Sequence, residues 1–117
     1  MGTFFHPMRL IGPNGREVDL DALVDTGASF SSVPGDLLRE LGATPVRRVR
    51  LRLANGQSHL QDLGEVRADI NGDEVTTLVI FGEEGSPPAI GAYTLEGLAL
   101  GVDPVEARLV PMEGWRA

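Results

Sequence analysis

The sequence predicts a mainly β domain with one or two short helices. Three observations carry that expectation. Three Asn-Gly pairs punctuate the chain, each flanked by apolar-rich stretches. From Val46 to Leu53 apolar and basic residues alternate with the period of two that belongs to a half-buried strand. Helical signals are confined to two brief segments.

The elements follow in order. Asn-Gly accommodates the positive φ angles of a type I′ turn, so each pair marks a hairpin. Asn14-Gly15 joins "MRLIG" to "REVDLDALV", Asn55-Gly56 joins "VRRVRLRLA" to "QSHLQDLGEVRADI", and Asn71-Gly72 joins "EVRADI" to "DEVTTLVIF". "PGDLLRELG", Pro34 to Gly42, reads as one or two helical turns, with Pro34 suited to the start and Gly42 to the C-terminal cap. "GEEGSPP", Gly82 to Pro88, reads as a loop, and "AYTLEGLAL", Ala92 to Leu100, as a second short helix with Leu95 and Leu98 on one face. "DPVEARLVP" reads as a closing strand in which Val105, Ala107 and Leu109 alternate with Glu106, Arg108 and Val110. There are no repeats, and 117 residues suit a single domain spanning 1–117.

Composition narrows the function. The net charge of −7 argues against nucleic acid, whose binding depends on Lys and Arg neutralising phosphates, and against an anionic membrane surface. All ten basic residues are Arg, which reads as the leaning of a GC-rich bacterial genome. With no cysteine there is no disulfide, thiol catalysis or thiolate metal site, which fits a cytoplasmic location. "MGTFFHPMRLIG" lacks the pattern of a signal peptide or a myristoylation site, and no apolar run reaches the length of a membrane span.

The stretch hardest to explain as packing is "ALVDTGASFSSVP", Ala22 to Pro34. An apolar strand end, Ala22-Leu23-Val24, runs straight into a carboxylate and then a glycine. About thirty residues later "LRLANGQSHL" forms a hairpin around Asn55-Gly56. Ala89-Ile90-Gly91 then precedes the second helix, and "LGVDPVEARLVP" closes the pattern. In this order and spacing, from about Met8 to Pro111, the chain resembles the retropepsin-like (retroviral-type) aspartic proteases, and most nearly the small bacterial ones of that clan.

The resemblance implies a retropepsin-like acid-protease half-barrel with a flap hairpin. Asp25 would be catalytic, with Thr26, Gly27 and Ala28 supporting its loop. Thr26 would hydrogen-bond across a two-fold axis, and Gly27 would allow close backbone approach. Ala28 stands where pepsins usually carry Ser, which implies activity at a higher pH than pepsin's. Ala54, Asn55, Gly56 and Gln57 would form the flap over the substrate, and Ala89, Ile90 and Gly91 a second loop near the catalytic pair. No cofactor or metal is implied. Viral members often carry Asp where this chain has Ser29 and Arg where it has Ala92, and those two pair. Both are absent here.

The chemistry accounts for the residue types. Peptide hydrolysis at mild pH needs an activated water and a proton for the leaving nitrogen, and two carboxylates sharing one proton supply both. Like charges roughly 3 Å apart do not both ionise readily. The chain has one Asp-Thr-Gly, so the second carboxylate would come from a second copy of the chain in a homodimer acting on a peptide or protein substrate. The alternative on the same fold is a peptide-binding module that does not hydrolyse. The intact Asp-Thr-Gly speaks against it, since a pure binder gains nothing from a carboxylate pair that is costly to bury.

Other chemical residues have plainer readings. Asp19 and Asp21 alternate with apolar neighbours and read as solvent-facing. Arg48, Arg50 and Arg52 read as a solvated strand face rather than an anion site, because Asp and Glu elsewhere can pair with them. His6 and His59 form no ligand cluster, and Ser29, Ser31 and Ser32 lack a His and Asp arrangement for a serine hydrolase. Trp115 reads as a dimer-edge residue or part of a loose tail.

Overall fold

The computed structural model describes residues 3–113. Nine strands and two helices run in the order β1 (Phe4–Ile11), β2 (Glu17–Val24), β3 (Ser31–Pro34), α1 (Gly35–Glu40), β4 (Pro45–Arg52), β5 (Ser58–Ile70), β6 (Asp73–Gly82), β7 (Ala89–Ile90), α2 (Ala92–Gly97), β8 (Leu100–Asp103) and β9 (Arg108–Pro111). Seven strands form one sheet in the order β1-β2-β7-β3-β6-β5-β4. The sheet curls far enough for β1 to pair also with β5, through Arg9–Asp69, Leu10–Ala68 and Ile11–Arg67. Strand β4 is left at the free edge.

Alternating residues set the two faces of this sheet, although β4, where the sequence shows the alternation most clearly, has only Val49 and Leu51 half-buried. Met8, Leu10, Ala22, Val24, Val66, Ala68, Ile70 and Val79 are buried on the inner side. Asp19 and Asp21 are exposed on β2, and Asp19 accepts a 2.8 Å bond from Arg9 Nε. Leu38 of α1 and Leu95 of α2 close the core from outside the sheet. Helix α1 ends in a Schellman arrangement: Gly42 N–H donates to Arg39 O and Ala43 N–H to Leu38 O, with Gly42 at φ +87°. Among the described residues no helix is long and apolar enough to cross a membrane.

All three Asn-Gly pairs sit in hairpins, but only Asn71-Gly72 has positive φ at both centres, 58° and 88°. At the other two sites the glycine alone is positive, Gly15 at 85° and Gly56 at 88°. There the turn starts one residue earlier. Gly15 N–H bonds Gly12 O and Gly56 N–H bonds Leu53 O, so Asn14 and Asn55 occupy the last centre of an ordinary turn and the glycine takes the bulge position after it. Each Asn side chain then accepts from the backbone two residues on, Arg16 N–H and Gln57 N–H, both at 2.9 Å.

The closing strand expected over Asp103 to Pro111 is instead a hairpin of β8 with β9. Pro104 to Ala107 form its turn, where Asp103 Oδ1 accepts from the N–H groups of Val105 and Glu106. Ala107 sits at φ +53° and Val105 is 88% exposed, so neither alternates into a core. The Asp-Pro pair is a turn initiator, and it outweighs the period-two pattern that follows it. Helix α2 ends at Gly97, earlier than the expected Leu100, which begins β8. Trp115 lies outside the described residues.

Candidate active site

Strand β2 ends at Val24, and the chain leaves the sheet at Asp25. It re-enters at Ser31 as β3, but β2 and β3 are not neighbours. The two-residue strand β7 is wedged between them, parallel to β2 (Leu23–Ala89, Val24–Ile90) and antiparallel to β3 (Ser32–Ala89). The loop carrying Asp-Thr-Gly is thus stretched over the end of β7. Two segments more than sixty residues apart in sequence are held side by side for that reason.

The loop is clamped along its length. Asp25 N–H donates to Ile90 O at 2.9 Å, Ala92 N–H to Ala28 O at 2.8 Å, and Tyr93 N–H to Ser29 O at 3.0 Å. Within the loop, Ala28 N–H reaches Asp25 O at 3.2 Å and Gly27 N–H donates to Asp25 Oδ1 at 3.0 Å. The last contact orients the carboxylate. A Cβ on Gly27 would stand 3.2 Å from that same oxygen. Gly91 is needed for a stronger reason: a Cβ there would lie 2.4 Å from Phe30 C and 2.5 Å from Phe30 O. The close approach of loop to β7 is possible only without a side chain at that position.

Beneath the loop lies a buried chain of hydroxyls that sequence reading missed. Ser31 Oγ accepts from Gly91 N–H at 3.0 Å and lies 2.6 Å from Thr94 Oγ1, which lies 2.8 Å from Thr77 Oγ1. These side chains are 2%, 0% and 3% exposed. The chain links β3, α2 and β6 under the catalytic-type loop. Its only trace in the sequence is polar residues at positions where the alternation calls for apolar ones, as at Thr77 between Val75 and Val79. Ser31, set aside above as a nucleophile, is a structural residue of this network.

Asp25 is half-buried, whereas Thr26 and Gly27 are exposed and Ala28 is half-buried. A groove of about 540 Å³ opens beside the loop, lined by Gly27, Ala28, Phe30 and Ile80 and by Arg50 to Arg52 of β4 with Leu53 after it; Asp25 and Thr26 are not among its lining. The tip residues Ala54, Asn55, Gly56 and Gln57 are all exposed and do not line it; the neighbouring Leu53 does. A hollow of similar size, about 520 Å³, among Ile11, Pro13, Ala43, Val46 and Arg67 contains no residue of the motif. Among the described residues no cluster of three or more His, Asp or Glu is placed to hold a metal ion.

A family model for aspartyl proteases matches residues 9–68, just over half of the chain, and this span includes the whole Asp25 loop, β4 and β5 up to Ala68. The chain belongs to the aspartyl protease family. No curated protein sequence matches it significantly. Solved structures agree on the fold of this aspartyl protease family member. It is similar to the solution structure of simian foamy virus (mac) protease, at 18% identity and a TM-score of 0.55, over 80% of this chain and 94% of that one. It is similar to EIAV protease complexed with the inhibitor HBY-793, at 19% identity and a TM-score of 0.59, over 83% of this chain and 88% of that one. The retroviral protease-like domain of Ddi1 from Leishmania major matches at 17% identity and a TM-score of 0.59, over 95% of this chain and 89% of that one. The architecture is therefore retropepsin-like.

Proposed function

We propose that this aspartyl protease family member is an endopeptidase active as a homodimer, with Asp25 of each chain forming the catalytic pair. The observation that carries the reading is the Asp25 loop. Its carboxylate is oriented by the Gly27 N–H, its backbone is pinned to β7 and α2, and the residues that follow Asp25 in the loop, Gly27 to Phe30, line a groove of about 540 Å³. One chain supplies one such carboxylate. Thr26 and Gly27 are exposed where a second loop would meet the first. Phe5, 58% exposed, pairs with Leu23 two residues before Asp25, so an apolar surface adjoins the carboxylate and favours self-association.

In the dimer the two carboxyl groups share one proton. The ionised one takes a proton from a water as the water oxygen bonds to the scissile carbonyl carbon. The protonated one donates to the carbonyl oxygen, giving a neutral tetrahedral diol. As the C–N bond breaks, the carboxyl that took the water's proton donates it to the leaving nitrogen, and a diol hydroxyl returns its proton to the other carboxylate. The pair then shares one proton again, and no metal enters the cycle.

The deciding experiment compares wild type with Asp25→Asn on a mixed peptide library from acid to neutral pH, with oligomeric state followed by analytical ultracentrifugation. Cleavage by wild type, its loss in Asp25→Asn and an unchanged dimer support the proposal. A wild type that binds peptides but cuts none across the range would make the chain a binding module instead.

A further inference from the structure

Strand β4 carries Arg47, Arg48, Arg50 and Arg52, four of the ten arginines in a chain whose net charge is −7. Arg48 is paired with Asp62 at 3.4 Å, and Arg52 Nη1 donates to Gly56 O in the hairpin turn at 3.0 Å. Among the described residues Arg50 has no carboxylate partner, although the chain holds seventeen Asp and Glu. A row of charges on an edge strand can serve simply to block edge-to-edge aggregation. Arg50 and Arg52 differ from that pattern in position: both line the groove beside the Asp25 loop, and no Asp or Glu lines it with them. The remaining lining is apolar (Ala28, Phe30, Leu51, Leu53, Ile80) or neutral and polar (Ser29, Ser32, Gln61). Both charged side chains that line the groove are thus basic, in a chain whose net charge is −7.

We infer that the groove selects extended peptides in which an apolar residue is flanked by Asp or Glu, with Arg50 and Arg52 recognising the acidic side chains. This rests on the reading of the groove as the substrate site of a protease. Arg50 and Arg52 are two residues apart, about 6.6 Å along a strand, which matches the spacing of alternate side chains on an extended peptide. In a two-fold dimer both copies present the same pair, so acidic residues are favoured on either side of the cut bond. The arginines are exposed, so each contributes modestly, about five-fold in affinity per charge pair at low salt, and the preference weakens as salt is raised.

The test uses one apolar peptide core with flanking residues set to Glu, Gln or Lys. Cleavage by wild type is measured as kcat and KM. Binding of the same peptides, fluorescein-labelled, to Asp25→Asn is measured by anisotropy. The expected order is Glu above Gln above Lys in both assays, carried by KM. Arg50→Gln with Arg52→Gln should flatten the order, Arg50→Glu should invert it, and Arg50→Lys should keep it. Arg16→Gln, in the distant first turn, should leave the order as in wild type.

An equal or reversed order in wild type, binding of none of the peptides, or an order unmoved by the Arg50 and Arg52 substitutions overturns the inference. The two readings fail separately. Cutting without acidic preference removes this inference and keeps the protease, whereas acid-selective binding without cutting removes the protease and keeps the recognition.

Discussion

Replacing Thr94 by Val changes the shape of the side chain very little and removes one hydroxyl. That hydroxyl stands at the centre of the buried chain, 2.6 Å from Ser31 Oγ and 2.8 Å from Thr77 Oγ1. Ser31 Oγ would still accept from Gly91 N–H. Thr77 would retain only a 3.5 Å contact with Leu78 O, too long for a good hydroxyl bond, in a site that is 3% exposed. Two bonds worth about 1 kcal/mol each are lost, and an unpaired buried hydroxyl adds a further penalty of about 1–3 kcal/mol. The extra buried methyl gives back about 0.8 kcal/mol. A net loss of about 2–4 kcal/mol follows, or about 10–15 °C in Tm for a domain of this size.

Thr94→Ser is the complementary change, keeping the hydroxyl and losing a methyl, at a cost of about 1 kcal/mol. Thermal unfolding at fixed protein concentration ranks the three proteins, because the proposed dimer would make Tm depend on concentration. If Thr94 also positions the Asp25 loop, kcat should fall about ten-fold in Thr94→Val with KM little changed, since misplacing a reacting group costs rate. Thr94→Ser should retain most of kcat. A Val variant as stable and active as wild type, or a Ser variant worse than Val, would show that volume matters at this position and the hydroxyl chain does not.

Three further outcomes are expected. Gly91→Ala sets a Cβ within 2.5 Å of the Phe30 carbonyl, so it should lower soluble yield and Tm by more than an overpacking cost of about 1–3 kcal/mol implies, because the obstacle is backbone. Phe5→Asp puts charge on the apolar surface beside Leu23, and specific activity should then fall on dilution at concentrations where wild type holds steady, read by sedimentation alongside activity. The Arg9 guanidinium hydrogen-bonds Asp19 and holds its carboxyl below the usual range. The folded value lies below the unfolded one, so the pair stabilises above the ordinary carboxylate range and that stabilisation is lost as pH falls through the lowered value. Melting curves should place Asp19→Asn slightly below wild type at neutral pH and low salt, and level with it in strong acid or high salt.

Much of the fold was legible because it depends on local chemistry. The hairpins follow from Asn-Gly, the exposed faces of β2 and β4 from alternation, and the end of α1 from Gly42. The turn types at Asn14 and Asn55 were not, because the glycine's left-handed position can follow the turn or lie within it, and strand register decides which. The tail was misread because period-two alternation over Val105 to Leu109 carries no information about whether a partner strand exists on that side. In the structure Asp103 turns the chain back on itself. At the site, Asp25 and Ala89 to Gly91 stood out as motif and spacing, but nothing local shows that β7 inserts between β2 and β3.

That insertion is what makes the loop usable for chemistry. A loop joining two adjacent strands could satisfy its backbone within one tight turn and would be free to shift as a unit. Here the strands are held apart by β7, so the loop must span its end, and Asp25 N–H, Ala28 O and Ser29 O are bonded to Ile90, Ala92 and Tyr93. The Asp25 carboxylate is held by the fold itself, which for the proposed catalytic role is the condition under which an oriented group lowers a barrier most. The same geometry explains why the viral-type pairing of an acid at position 29 with an arginine at position 92 is dispensable. Ser29 and Tyr93, and Ala28 and Ala92, are already joined backbone to backbone at 3.0 and 2.8 Å. An ion pair laid over those bonds would add little to the rigidity of one chain, so the loop is anchored without it.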